Sequence, residues 1–136
     1  MTHRFPVRIY YEDTDFSGNV YHAAYLKFFE RGRTEFLRDL GIHHFELAKD
    51  GIAFAVRSMA IDFDGAAHID DLLGVTTRVE AMTGARLTLM QSIERDGAIL
   101  TRAKVVVVAI KTTGGVARLP KALRDRLAAD GRTTAS

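Results

Sequence analysis

The sequence predicts an α+β fold: a curved antiparallel sheet of about five to six strands wrapped around one long central helix, with a short helix near the C-terminal end. Three observations carry this. Apolar and polar residues alternate from Arg4 to Glu12. The period then changes to three- and four-residue steps from His22 to Leu40. Beyond residue 52 the strand pattern returns and stays to about residue 112.

The elements follow in order. Phe5, Val7, Ile9 and Tyr11 alternate with Arg4, Arg8 and Glu12, which is a strand with one buried face. Tyr25, Phe28, Phe29, Gly32, Phe36 and Leu40 make the apolar stripe of a helix of about five turns, ended by Gly41. Arg31 and Glu35 lie one turn apart and can pair. Gly32 costs about 1 kcal/mol in a helix interior relative to alanine, and its place on the apolar face implies close approach to a sheet. Residues 43–52 connect to a strand over 53–64, where Met59, Ile61 and Phe63 alternate with Ser58 and Asp62. Leu73, Val75, Thr77, Val79 and Ala81 form the next strand, and Thr83-Gly84-Ala85 turns it toward Leu87, Leu89 and Ile93. Asp96-Gly97 is a strong hairpin signal. Val105 to Ile110 is apolar on both faces, the pattern of a central strand covered on both sides. Pro120 can open a short helix through about Ala129. Residues 1–130 form one domain, and 131–136 are expected to be a flexible tail.

Composition removes several function classes. The 136 residues carry a net charge of only +2 with no lysine-arginine block, so nucleic-acid binding has no support. There is no cysteine, which excludes disulfides and thiolate chemistry. No apolar leader and no membrane span is legible, so the expected compartment is the cytoplasm. His43 and His44 are adjacent at a helix exit and point apart, so no metal is expected.

The chemistry-bearing segment is Asp13-Thr14-Asp15-Phe16-Ser17-Gly18-Asn19-Val20-Tyr21-His22, at the strand-to-helix junction. It sets two carboxylates beside a helix start, whose first N–H groups have no intrahelical acceptor and carry partial positive charge. An aspartate at such a place is equally a cap or a turn-former. A lone histidine is more often structural, and Tyr21 and Tyr25 are more often core or pocket wall than acids. Asp70-Asp71 reads as a solvated turn before a strand.

The run from Tyr11 to Tyr25, continued by Phe28-Phe29-Glu30-Arg31-Gly32-Arg33-Thr34-Glu35, resembles the hotdog-fold acyl-CoA thioesterases of the 4-hydroxybenzoyl-CoA type. Within these it is most similar to the bacterial group associated with the Tol-Pal envelope system. The resemblance implies that Asp15, the second aspartate of the Asp-x-Asp-x-x-Gly pattern, is the catalytic carboxylate, acting as general base or nucleophile. Asp13 is then assigned to the turn. His22 stands where the benzoyl-specific enzyme has tyrosine, and what the resemblance implies there is a backbone N–H that polarises the thioester carbonyl. Acyl chains become the expected substrates.

Gly18, Asn19, Val20, Tyr21 and Tyr25 are the expected substrate-binding residues, with Gly18 allowing close backbone approach. Oxyanion donors are expected around Val20, Tyr21 and His22. No cofactor is implied, because coenzyme A enters with the substrate. Arg57, Arg78, Arg86, Arg102, Lys104 and Lys111 include candidates for the coenzyme A phosphates. The expected partners are acyl-CoA, a second copy in a homodimer or homotetramer, and peripheral contact with the inner membrane. Two other readings stand beside this one: hydrolysis on acyl carrier protein, and a non-catalytic acyl-CoA-binding or envelope-associated protein. No dehydratase-type histidine-phenylalanine-proline-glycine segment is present.

Overall fold

The computed structural model describes residues 2–129. The expected tail, 131–136, lies outside them. Five strands form one antiparallel sheet: β1 (His3–Arg8), β2 (Ile52–Phe63), β3 (Leu72–Met82), β4 (Arg86–Arg95) and β5 (Ala98–Lys111). Their spatial order is β1-β3-β4-β5-β2. The last three hairpin-linked strands are therefore neighbours, and the strands on either side of the long helix lie at opposite edges. The helix, α1 (His22–Asp39), lies across the inner face. Short helices α2 (His44–Lys49) and α3 (Lys121–Ala129) complete the chain.

The apolar stripe of α1 is buried as its spacing predicts: Tyr25, Phe28, Phe29, Gly32, Phe36 and Leu40 all face the sheet. Leu73, Val75, Val79, Leu87, Leu89, Ile93, Val105 and Val107 face them from β3, β4 and β5. At Gly32 helix and sheet approach closely, since a Cβ there would stand 2.6 Å from Val75 Cγ1. Gly41 ends the helix with φ of +82°, a conformation that glycine adopts without a Cβ penalty. Leu123 and Leu127 join α3 to the same core.

The alternation in β4 carries one polar residue inward. Gln91 is buried, and its amide nitrogen donates to Phe29 O (3.0 Å) and Thr77 Oγ1 (2.9 Å). Its oxygen accepts from Arg33 Nη1 at 3.1 Å. This strut ties α1 to β3 and β4 at the level of Gly32.

Four expectations need correction. The first strand stops at Arg8, because Tyr11–Asp13 winds into a 3-10 turn; Tyr11 is exposed rather than inward. The connection after α1 contains α2, a helix too short for its period to show. Glu35 pairs with Arg38 at 3.3 Å, while Arg31 lies over the Phe28 ring. The apolar run in β5 is not covered on both sides: β4 is the central strand, and Val106, Val108 and Ile110 are half-buried on the outer face.

Candidate active site

The junction between β1 and α1 is a compact loop held from both sides. Asp13 makes the first turn: its Oδ2 accepts the Tyr10 N–H at 2.9 Å, and its carbonyl accepts the Tyr21 N–H at 3.1 Å. Thr14 and Val20 bridge across the loop, and the Asp15 N–H donates to Asn19 O at 3.0 Å. Gly18 closes the tip with φ of +84°, its N–H on Asp15 O. The outer clamp is the segment before β3. The Val20 N–H donates to Ala67 O at 2.8 Å, Asn19 bridges to His68, and the Ala67 N–H donates to Tyr25 Oη at 3.0 Å.

Asp15 stands at the exposed tip of this loop, in a shallow groove lined by Tyr11, Thr14, Phe16, Gly18 and Ile69. Its Oδ1 accepts both the hydroxyl and the backbone N–H of Ser17. Among the described residues nothing donates to Oδ2. The Ser17 hydroxyl, then the Ser17 N–H, hold the carboxyl below its ordinary 3.8, with a smaller pull from the His22 imidazole. Asp15 is therefore an ionised carboxylate with one oxygen committed to the loop and one open.

The donors at the helix start are fewer than the sequence suggests. Val20 and Tyr21 are expected to aim N–H groups at a substrate, but both are engaged, by Ala67 O and Asp13 O. Among the described residues, no protein group accepts from the N–H of His22 or Ala23, the first two residues of α1. The His22 side chain is exposed and edge-on to the rings of Tyr21 (5.9 Å) and Phe63 (6.2 Å). Tyr25 is only 3% exposed. Burial pushes its hydroxyl pKa up, so the neutral phenol is the form that anchors Ala67. The structure thus brings Asp15, Gly18, Asn19, Tyr21 and His22 to one exposed loop and helix start, and sets Val20 and Tyr25 inward beneath it.

Sequence reasoning missed the lock on the outer clamp. Asp71, read as part of a solvated turn, accepts from the His68 N–H (2.9 Å) and from Arg95 Nη1 (2.7 Å). Arg95 also donates to Ala66 O. Burial pushes the Asp71 pKa up, but the His68 N–H and Arg95 together outweigh it and leave the carboxyl lowered. Nothing in the local pattern marks this pair, because its members are 24 positions apart. Arg102 and Lys104, candidates for phosphate contacts, face Asp64 (2.9 Å) and Glu80 (3.5 Å). His44 packs on the Phe54 ring at 5.8 Å, and among the described residues no three histidines or carboxylates gather as a metal would require.

The loop and its helix can be compared with known proteins. Residues 10–127 match the thioesterase-like superfamily. The chain belongs to this family. Among curated thioesterase relatives, the acyl-CoA thioesterase YbgC of Haemophilus influenzae is 48% identical over 107 residues, 78% of this chain and 79% of that protein. The acyl-CoA thioester hydrolase YbgC of Escherichia coli O6:H1 is 43% identical over 79% of this chain and 81% of its own length. A solved probable thioesterase from Bartonella henselae is 46% identical, covers 88% of this chain and all of its own, and superposes with a TM-score of 0.85. The five-stranded sheet around α1 is the thioesterase hotdog fold, as the resemblance implies. No helix among the described residues of this thioesterase-family chain is long and apolar enough to cross a membrane.

Proposed function

We propose that this chain hydrolyses acyl-CoA thioesters, with Asp15 as general base or nucleophile and the N–H groups of His22 and Ala23 as the oxyanion site. The observation that carries the reading is the pairing, across one clamped loop, of a carboxylate with a free oxygen and two helix-start N–H groups that have no acceptor among the described residues. Thioester hydrolysis needs both. The carbonyl oxygen gains negative charge as attack proceeds, and preorganised N–H donors at a helix start stabilise that charge without reorganising. Asp15 Oδ2 either takes a proton from water as it attacks the carbonyl carbon, or attacks it to give an anhydride that water then opens. In both routes the carbon–sulfur bond breaks and coenzyme A leaves as the thiol.

The His22 ring and Tyr21, both exposed beside the donors, flank the thioester, and Gly18 and Asn19 shape the loop around it. The buried Val20 and Tyr25 hold these groups in place from below.

We further place the working unit as a homodimer joined along β2. Among the described residues that strand is hydrogen-bonded only to β5, so its outer edge presents unpaired N–H and C=O groups. On its inner face Val56 and Phe63 are each 48% exposed, which a second copy would cover.

The test is a series of acyl-CoA esters of varied chain length with wild type, Asp15→Asn and Asp15→Ala, each repeated with the acyl group on acyl carrier protein. The reading requires hydrolysis of the CoA esters that both substitutions lower by about 10²-fold or more. Activity surviving in Asp15→Ala would sink it. A single turnover in ¹⁸O-water tests the nucleophilic route, because label enters the Asp15 carboxylate only when water opens an anhydride at the Asp15 carbonyl.

A further inference from the structure

Resting on the β2-joined dimer above, we infer that Glu30 and Arg33 form reciprocal ion pairs across the two-fold axis, Glu30 of each protomer with Arg33 of the partner subunit.

Leu26, Glu30, Arg33 and Leu37 recur at steps of four, three and four, so they form one stripe along α1. The stripe faces β2. Glu30, Arg33, Thr34 and Leu37 line a cleft of about 250 Å³ whose other walls include Phe54 and Val56 of β2. Two opposite charges thus border one mostly apolar cleft beside the free edge of the sheet. They do not pair with each other within 4.0 Å, although Glu35–Arg38 and Glu46–Lys49 close at the same three-residue spacing, at 3.3 and 3.6 Å.

Arg33 has reason to seek a carboxylate elsewhere. Its side chain is partly buried, and its protein acceptor is the neutral Gln91 Oε1 at 3.1 Å. Gln91 is itself fixed by Phe29 O and Thr77 Oγ1, so the guanidinium is held in one direction with most of its five donors left over. Burial lowers the Arg33 pKa, and the nearby Glu30 only partly opposes this. A partly desolvated cation with no anion in contact among the described residues is an unfavourable arrangement. A carboxylate arriving from outside the chain would relieve it.

The symmetry supplies that carboxylate. Two β2 edges pairing antiparallel put both α1 helices on the same face of the joined sheet, running in opposite directions. In an isologous contact, residue i meets residue j and j meets i. An axis passing level with residues 31 and 32 sets residue 30 opposite residue 33 in both directions. That level is close to the middle of the seam: the cleft wall is Phe54–Val56, and the midpoint of β2 lies by Arg57 and Ser58. Glu30 and Arg33 are about 4.5 Å apart along the helix axis, so both pairs fit within one turn.

Charge reversal tests this. Arg33→Glu places only acids along the seam and Glu30→Arg only cations. Each variant alone should self-associate about tenfold or more weakly than wild type, a loss of about 1.4 kcal/mol or more. An equimolar mixture should recover association as a heterodimer, and the double variant Glu30→Arg/Arg33→Glu should recover the homodimer. Sedimentation velocity over a concentration series reads all four. Variants that self-associate like a dimeric wild type, or that alter KM for acyl-CoA while association is unchanged, overturn the pairing and leave the β2 dimer standing. A mixture that stays monomeric while both variants keep the wild-type circular dichroism also overturns it. A wild type that is monomeric throughout removes the β2 dimer itself, and the pairing with it.

Discussion

Replacing Gly32 by alanine sets two effects of opposite sign against each other, and the structure decides between them. By helix propensity alone the change stabilises α1 by about 1 kcal/mol. The new Cβ, however, would stand 2.6 Å from Val75 Cγ1 and 3.3 Å from Val75 Cβ. Val75 is fully buried and is hydrogen-bonded between β1 and β4, so it cannot swing aside. Relief must come from lifting α1 off the sheet or straining Val75, which in packed cores costs roughly 1–3 kcal/mol. The net expectation is destabilisation of about 1 kcal/mol. In a Val75→Ala background the 2.6 Å contact is gone and only the 3.3 Å contact with the Cβ of residue 75 remains, which a small shift relieves, so Gly32→Ala should stabilise by up to about 1 kcal/mol. The cycle therefore predicts a change of sign and a coupling of roughly 1–3 kcal/mol. Urea unfolding of the four proteins at one protein concentration measures it, and kcat/KM should fall in Gly32→Ala because the helix carrying the proposed oxyanion donors shifts. If Gly32→Ala stabilises the protein with Val75 present, the close-approach argument is wrong.

Other outcomes follow from the site. Asp15→Asn should lower kcat/KM by about 10²–10⁴ without loss of fold, the range for removing a general base. Because Ser17 favours the ionised form of Asp15, the acidic limb of the rate profile should lie below the ordinary aspartate range in wild type. Ser17→Ala withdraws the hydroxyl and should move that limb upward; a limb that stays put would argue against Asp15 as the titrating group. Tyr25→Phe leaves the Ala67 N–H without its acceptor, a loss of about 1–3 kcal/mol in urea unfolding. Asp71→Asn should loosen the clamp, read as faster hydrogen exchange at Val20, whose N–H donates to Ala67 O. The pKa of Asp71 is lowered in the folded chain, so its contribution is present above the unfolded value and is lost as pH falls through the folded one. Stability of the wild type should therefore decline toward acid pH more steeply than that of Asp71→Asn.

What the sequence determined by itself was whatever depends on neighbours along the chain. The three- and four-residue steps of Tyr25, Phe28, Phe29, Gly32 and Phe36 placed α1 and its buried face, because a helix repeats every 3.6 residues and needs one apolar side. Alternation placed β2 through β4, a continuous apolar run placed β5, and Asp96-Gly97 placed the hairpin between the last two, both central residues having positive φ, +52° and +83°. The Asp13–His22 segment carried enough local pattern to mark a candidate site at the strand-to-helix junction, while the distinction between Asp13 and Asp15 came from the family resemblance and not from the local pattern.

Only the tertiary structure decided which N–H groups remain open at the helix start. Val20 and Tyr21 look as available as His22 along the chain, but Ala67 O and Asp13 O fold onto them. The same holds for the Asp71–Arg95 lock, the Gln91 strut, and the meeting of Glu30 and Arg33 with the free edge of β2. Each joins residues through space across a closed loop, and hydrogen bonds and packing at such separations leave no period in the sequence. Tertiary packing also overrode a local pattern in β5: its two apolar faces promised cover on both sides, but the chain has one layer of helix to offer, and the outer face of the sheet stays half open.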